Sequence, residues 1–137
     1  MKKLLIISVL ALISLVIYSC EKDDIVNPTF ERLEITSVDL PDTFLLGQTY
    51  EMRVNYNRPD GCTHLQGFDI LPVQQTVREV QAIGARYEDE VCTQVIEEAT
   101  DQFLFQVIYA EPYTFKFWQG QDSTGNAEYL TVEIPVR

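Results

Sequence analysis

The chain has 137 residues, 46% of them hydrophobic and 23% charged. Its 21 acidic residues outnumber ten lysines and arginines, and with one neutral histidine the net charge is −11. A chain this acidic repels phosphate backbones and anionic headgroups, which argues against a nucleic-acid partner, and its length suits one domain rather than two.

The first segment has the pattern of a leader. Lys2 and Lys3 supply a short positive stretch, and Leu4 to Ile17 is uncharged and almost wholly apolar. That run matches a signal-peptide core and falls short of an uncleaved membrane-spanning helix. It ends Ile17-Tyr18-Ser19-Cys20, which resembles the lipobox of bacterial lipoproteins: a branched apolar residue three before the cysteine and a small one directly before it. Tyr18 is bulkier than that family usually places there. The resemblance implies that residues 1–19 are removed and that Cys20 carries a lipid.

The next residues, Glu21-Lys22-Asp23-Asp24, look like the export tag of Bacteroidota surface lipoproteins, in which Lys22, Asp23 and Asp24 are read by transport machinery. The alternative is a solvated charged linker. The tag resemblance implies an outer-membrane protein, lipid-anchored and facing the cell exterior. Anchoring by two or three acyl chains would be almost permanent, at about 0.8 kcal/mol per buried methylene.

Loss of Lys2 and Lys3 leaves eight bases against 21 acidic residues, a mature charge near −13. Two cysteines remain, Cys62 and Cys92, and an exported compartment permits them to form one bridge. Closing a loop of that length contributes about 3–4 kcal/mol on the chain-entropy model. No C-x-x-C spacing exists and His64 is the only histidine, so neither a metal nor a redox pair is expected, and no cofactor.

Residues 20–29 read as a polar tether ending in Asn27-Pro28, and residues 30–137 as one all-β domain. Leu33 and Ile35 alternate, then Val38 and Leu40 continue in the opposite phase, which predicts a bulge or kink. Tyr50, Met52, Val54 and Tyr56 alternate with polar residues as a half-buried strand. Arg58-Pro59-Asp60-Gly61 predicts a turn in which Gly61 supplies a positive φ. Phe68 and Ile70 mark another strand ending near Pro72. Residues 76–87 alternate less regularly, with an expected break at Gly84. After Glu88-Asp89-Glu90, a strand is expected to resume through Val91, Thr93 and Val95, with Cys92 near its start. Phe103 to Tyr109, Tyr113 to Phe117 and Leu130 to Val136 complete the set. Seven to eight such strands predict an antiparallel β-sandwich.

Between the last two strands stands Asp122-Ser123-Thr124-Gly125-Asn126. This looks like the final hairpin of bacterial immunoglobulin-like domains, and the resemblance implies an immunoglobulin-like sandwich. Gly125 would supply a positive φ and Asp122 would bond turn amides. The 76–100 section is not placed strand by strand on that topology.

Catalytic signatures are missing: there is no G-x-S-x-G, no HExxH and no P-loop, and only Ser37 and Ser123 follow the leader. Two other features stand out. Trp118 lies out of phase with Tyr113, Phe115 and Phe117, so it faces outward, where it could contact a sugar or a partner or else cover a core edge. Asp122, Asn126 and the 88–90 acidic run offer oxygen ligands for calcium, but without EF-hand spacing a solvated turn is the simpler reading, and no metal is expected. The expected role is a non-catalytic binding or accessory module at the cell surface, with a glycan or protein partner. The alternatives are a structural envelope component and a small surface hydrolase.

Overall fold

The computed structural model describes residues 27–87 and 91–137. Cys20, Lys22, Asp23, Asp24 and the Glu88-Asp89-Glu90 run lie outside the described residues. Within them the chain forms eight strands and no helix: β1 (Thr29–Leu33), β2 (Ile35–Asp39), β3 (Thr49–Arg58), β4 (Thr63–Pro72), β5 (Val77–Arg86), β6 (Glu97–Gln106), β7 (Tyr113–Gln121) and β8 (Ala127–Ile134). Two sheets pack face to face as a β-sandwich. One holds β2-β3-β6, and the other holds β1, β4, β5, β7 and β8.

The expected phase slip near residue 36 has a larger meaning than a kink. β1 pairs with β5 in one sheet, whereas β2 pairs with β3 in the other, with a register shift between Ile35 and Ser37. The chain therefore changes sheets at Glu34. Leu33 and Ile35, either side of the switch, are both fully buried.

Strict alternation marks the strands with one wet face. Met52, Val54 and Tyr56 of β3 meet Phe105 of β6 and Tyr113, Phe115 and Phe117 of β7 in one buried cluster. Phe44, outside the strands, is also fully buried. Its ring lies 4.8 Å from that of Tyr50, and those of Phe105, Tyr113 and Phe115 stand at 5.9, 6.0 and 6.1 Å. Tyr113 also makes polar contacts. Its hydroxyl accepts from the amides of Ile108 and Tyr109 and so fixes the connection into β7.

Four expectations are corrected. Gly84 does not break β5, which runs unbroken and is flanked on both edges; a Cβ there would come within 2.8 Å of Thr63 Cγ2 and 2.9 Å of Leu33 Cδ2, so glycine serves close packing. No strand forms at Val91–Val95: both valines are exposed, and β6 begins only at Glu97. Gly61 is not among the glycines with positive φ; a Cβ there would strike Thr93 Oγ1. Finally, pairing is antiparallel except between β5 and β7, which run parallel over Val77–Val80 and Thr114–Phe117.

The Cys62–Cys92 disulfide is present, with its Cα atoms 5.3 Å apart, inside the range a bridge requires. It does not brace β5, which has strand neighbours enough. It holds the extended segment before β6 against the β3–β4 turn, where Gly61 N donates to Thr93 O at 3.0 Å.

β6 is an edge, paired with β3 alone. Asp101 stands in phase with the core-side Phe103 and Phe105, yet is exposed, and its carboxylate accepts the amide of Gln102 at 2.7 Å.

Two stability outcomes follow from this packing. Replacing both Cys62 and Cys92 by alanine should lower unfolding free energy by about 2–4 kcal/mol in denaturant titration while the β circular-dichroism signal persists. Two reactive thiols in the unfolded, unreduced wild type would refute the bridge. Gly84→Val should cost about 1–3 kcal/mol by overpacking against Thr63 and Leu33; an unchanged denaturation midpoint would show that those side chains yield freely.

Candidate functional site

A strand has two edges, and β5 offers one of them to two neighbours. β4 covers one edge along nearly its whole length. On the other edge β1 pairs with residues 82–86 and β7 with residues 77–80. β1 and β7 therefore share an edge, and no pairing joins them to each other. Beyond Phe117 the two strands diverge and leave a seam. A cleft of about 350 Å³ occupies it, near the low end of the size range of ligand sites.

Each wall comes from a different segment. β1 contributes Glu31 and Arg32, and the sheet switch adds Glu34. The end of β3 and its turn contribute Asn57 and Pro59, with Ile96 beside them, and Glu128 enters from β8. β7 contributes Trp118 and the three residues after it. A register shift between Trp118 and Gly120 makes Gln119 an inserted residue, and Gly120 adopts φ 114°. Gln119 Nε2 donates to Ile35 O at 3.3 Å, which tacks the bulge to the other sheet.

Trp118 lies where its phase predicts, on the face of its sheet opposite Tyr113, Phe115 and Phe117, yet it is only 9% exposed. The Arg32 guanidinium sits over its ring at 4.6 Å. One face of the indole is thus taken by the protein's own cation, so Trp118 is not an open platform for a sugar ring. Its cross-strand neighbour Tyr129 donates to Glu79 Oε1 at 2.7 Å, and that bond, then burial, raises the phenol's pKa. The indole Nε1 is different: it is buried and has no acceptor among the described residues. An orphaned buried N–H costs about 1–3 kcal/mol, and a cation over an aromatic ring contributes from about 0.5 kcal/mol when exposed to about 2 kcal/mol when desolvated.

The cleft's charge is uneven, with carboxylates from Glu31, Glu34 and Glu128 against one guanidinium. Glu31 Oε1 accepts from Thr63 Oγ1 at 3.1 Å and Glu34 Oε2 from Asn57 Nδ2 at 3.5 Å. Neither contact exhausts a carboxylate's acceptor capacity.

The other candidates are spent inside their own turns. Asp122 Oδ1 accepts from Thr124 N at 2.8 Å, Thr124 Oγ1 at 2.7 Å and Asn126 N at 2.9 Å, and Gly125 adopts φ 86° as expected. The Thr124 hydroxyl and the two amides hold the Asp122 carboxyl down at about 2. Asp60 is a structural acid that its sequence context does not announce. Burial would raise its carboxyl, but the Thr63 hydroxyl and the Cys62 and Thr63 amides, with Arg86 beyond them, outweigh that and hold it below its usual range. Asp60 and the two sulfurs lie within 4.8 Å of one another, but the sulfurs are bonded together and do not act as thiolate ligands.

Comparison with protein-family models, with curated proteins and with solved structures gave no match for this chain.

The Asp122 turn generates a pH test. A carboxyl depressed from 3.8 to about 2 stabilises the fold above its unfolded pKa, and that contribution is lost as pH falls through the folded value. The melting temperature of Asp122→Ala should thus trail wild type at neutral pH. The gap should narrow between about pH 4 and pH 2; a gap of constant size across that window would exclude the carboxylate as its source.

Proposed function

We propose that this chain is a surface lipoprotein whose β-sandwich serves as a binding or accessory module, with the seam cleft as its seat. What carries the proposal is the double duty of β1. Thr29 opens the strand nine residues after the lipobox cysteine, and Glu31 and Arg32 of the same strand form one wall of the cleft. At about 3.3–3.6 Å per residue the tether reaches no more than about 30 Å. The cleft, built where β1, β3, β7 and β8 converge, would then stand close to the anchoring surface. The mature charge near −13 suits a domain held off an anionic envelope. An immunoglobulin-like ancestry is favoured by the Asp122–Asn126 hairpin and by Tyr113, whose hydroxyl ties back to upstream amides as in the tyrosine corner of such sandwiches.

A second proposal rests on the same cleft. Three carboxylates line it, and paired carboxylates are the groups that glycoside hydrolysis uses as acid and nucleophile. Release of reducing ends from an oligosaccharide, abolished in Glu128→Gln, would favour a small hydrolase over a binding module.

The anchor and the display are read separately. Cys20→Ser should abolish incorporation of labelled palmitate and leave the precursor unprocessed; undiminished labelling would sink the lipoprotein proposal. Alanine at Lys22, Asp23 and Asp24 together should keep the lipid but remove the domain from the cell exterior. Protease added to intact cells would then spare the variant, and digestion as rapid as that of wild type would dismiss the tag.

A further inference from the structure

We infer that the seam cleft takes a neutral, hydroxyl-rich ligand, a saccharide, gripped by hydrogen bonds at its edges rather than stacked on an aromatic face. The inference rests on the binding-module proposal and names its ligand class.

The lining sets the requirement. Glu31, Glu34 and Glu128 present acceptors only, and they outnumber the single guanidinium of Arg32. Anionic ligands such as sulfated or uronic sugars would meet net repulsion there. Trp118 Nε1, in contrast, is a donor, more than nine-tenths buried with its ring and lacking an acceptor. The amides of Asn57 and Gln121 on the same walls can serve in either sense. A bare ammonium ligand would satisfy the carboxylates but could not accept from the indole. Hydroxyl groups donate and accept together, so adjacent hydroxyls on one ring can answer carboxylate and indole at once.

The position of Arg32 defines how the ligand enters. Its guanidinium covers the indole face at 4.6 Å and is itself exposed. A swing of that side chain opens the indole to the cleft without moving the backbone of β1. The Gln119 insertion, tacked to Ile35, holds the opposite wall in place. Recognition is therefore by a mobile cation and a fixed indole edge, with Glu128 as a further acceptor that has no partner among the described residues.

Trp118 is the only tryptophan in the sequence, so its emission reports this cleft alone. The mature protein is titrated with neutral oligosaccharides of glucose, mannose, galactose, xylose and N-acetylglucosamine, and in parallel with a heparin-derived oligosaccharide and with spermidine. The expected result is a saturable change in emission with at least one neutral saccharide and none with heparin fragments. Glu128→Ala, a change at an exposed position, should weaken that binding roughly tenfold. Trp118→Phe, followed by calorimetry, should weaken it similarly by deleting the N–H. A saturable response to spermidine or heparin fragments alone would overturn the ligand class while leaving a binding module in place. Silence toward every probe would overturn both. Binding left unchanged by Glu128→Ala and Trp118→Phe would place the saccharide elsewhere and overturn the site.

Discussion

Backbone hydrogen bonding permits a strand two neighbours, one per edge, and β5 accommodates three by dividing an edge between β1 and β7. Much else follows from that division. Neither strand can take the whole edge, so β1 ends after five residues and the chain crosses to the other sheet at Glu34. β7 runs parallel to β5 only as far as Phe117 and then turns aside, with Gln119 bulged out and hydrogen-bonded to Ile35. Two sheets that would otherwise be closed layers are left with an opening between strands of the same layer. The cleft is a by-product of sheet topology rather than of a long loop, and its walls inherit the rigidity of paired strands.

How much of this was legible in the sequence depended on how closely each strand's residue types follow its two faces. β3, β7 and β8 alternate because water reaches one side of each, and the bounds of β3 could be read to within two residues. β5 lies in the middle of its sheet and carries Arg78 and Gly84 in phase with Val80 and Ala82, while Ala85 on its other side is also buried. With a charged residue and a glycine in the core phase, and Val77 and Ile83 on the half-exposed face, the sequence alternation is blurred. The opposite error occurred at Val91–Val95, where apolar residues at strand spacing remain in solvent because the disulfide and the Gly61–Thr93 contact hold the backbone without a sheet. Phe44 was invisible for a third reason. It lies in a turn-rich stretch and reaches the core through bonds to Pro135 and Arg137 at the far end of the chain.

The cleft was legible only in part. Trp118 stood out by its phase, and its outward direction was correct. Its burial fits the core-edge alternative, but the cover from Arg32, a residue of the first strand and remote in sequence, left no mark in the spacing. Glu31, Glu34, Asn57 and Glu128 carry no mutual spacing that a motif could capture; they meet because β1 and β7 share an edge. The turns show the reverse. Asp60 and Asp122 use one device, a side-chain carboxylate that accepts the amides a tight turn leaves unsatisfied, and the Asp-x-x-Gly-Asn pattern announced the second within five residues.

Asp101 acquires a different significance once crowding is considered. A ten-residue strand paired on one side presents a row of open amides and carbonyls, and copies held at a membrane, as proposed, would meet with edges aligned far more often than copies free in bulk. A second strand laid along β6 would have to bury the Asp101 carboxylate on the core side and strip it from the Gln102 amide. Desolvating an unpaired charge is costly enough to make that contact unproductive. Asp101 thus opposes strand-on-strand pairing along the β6 edge.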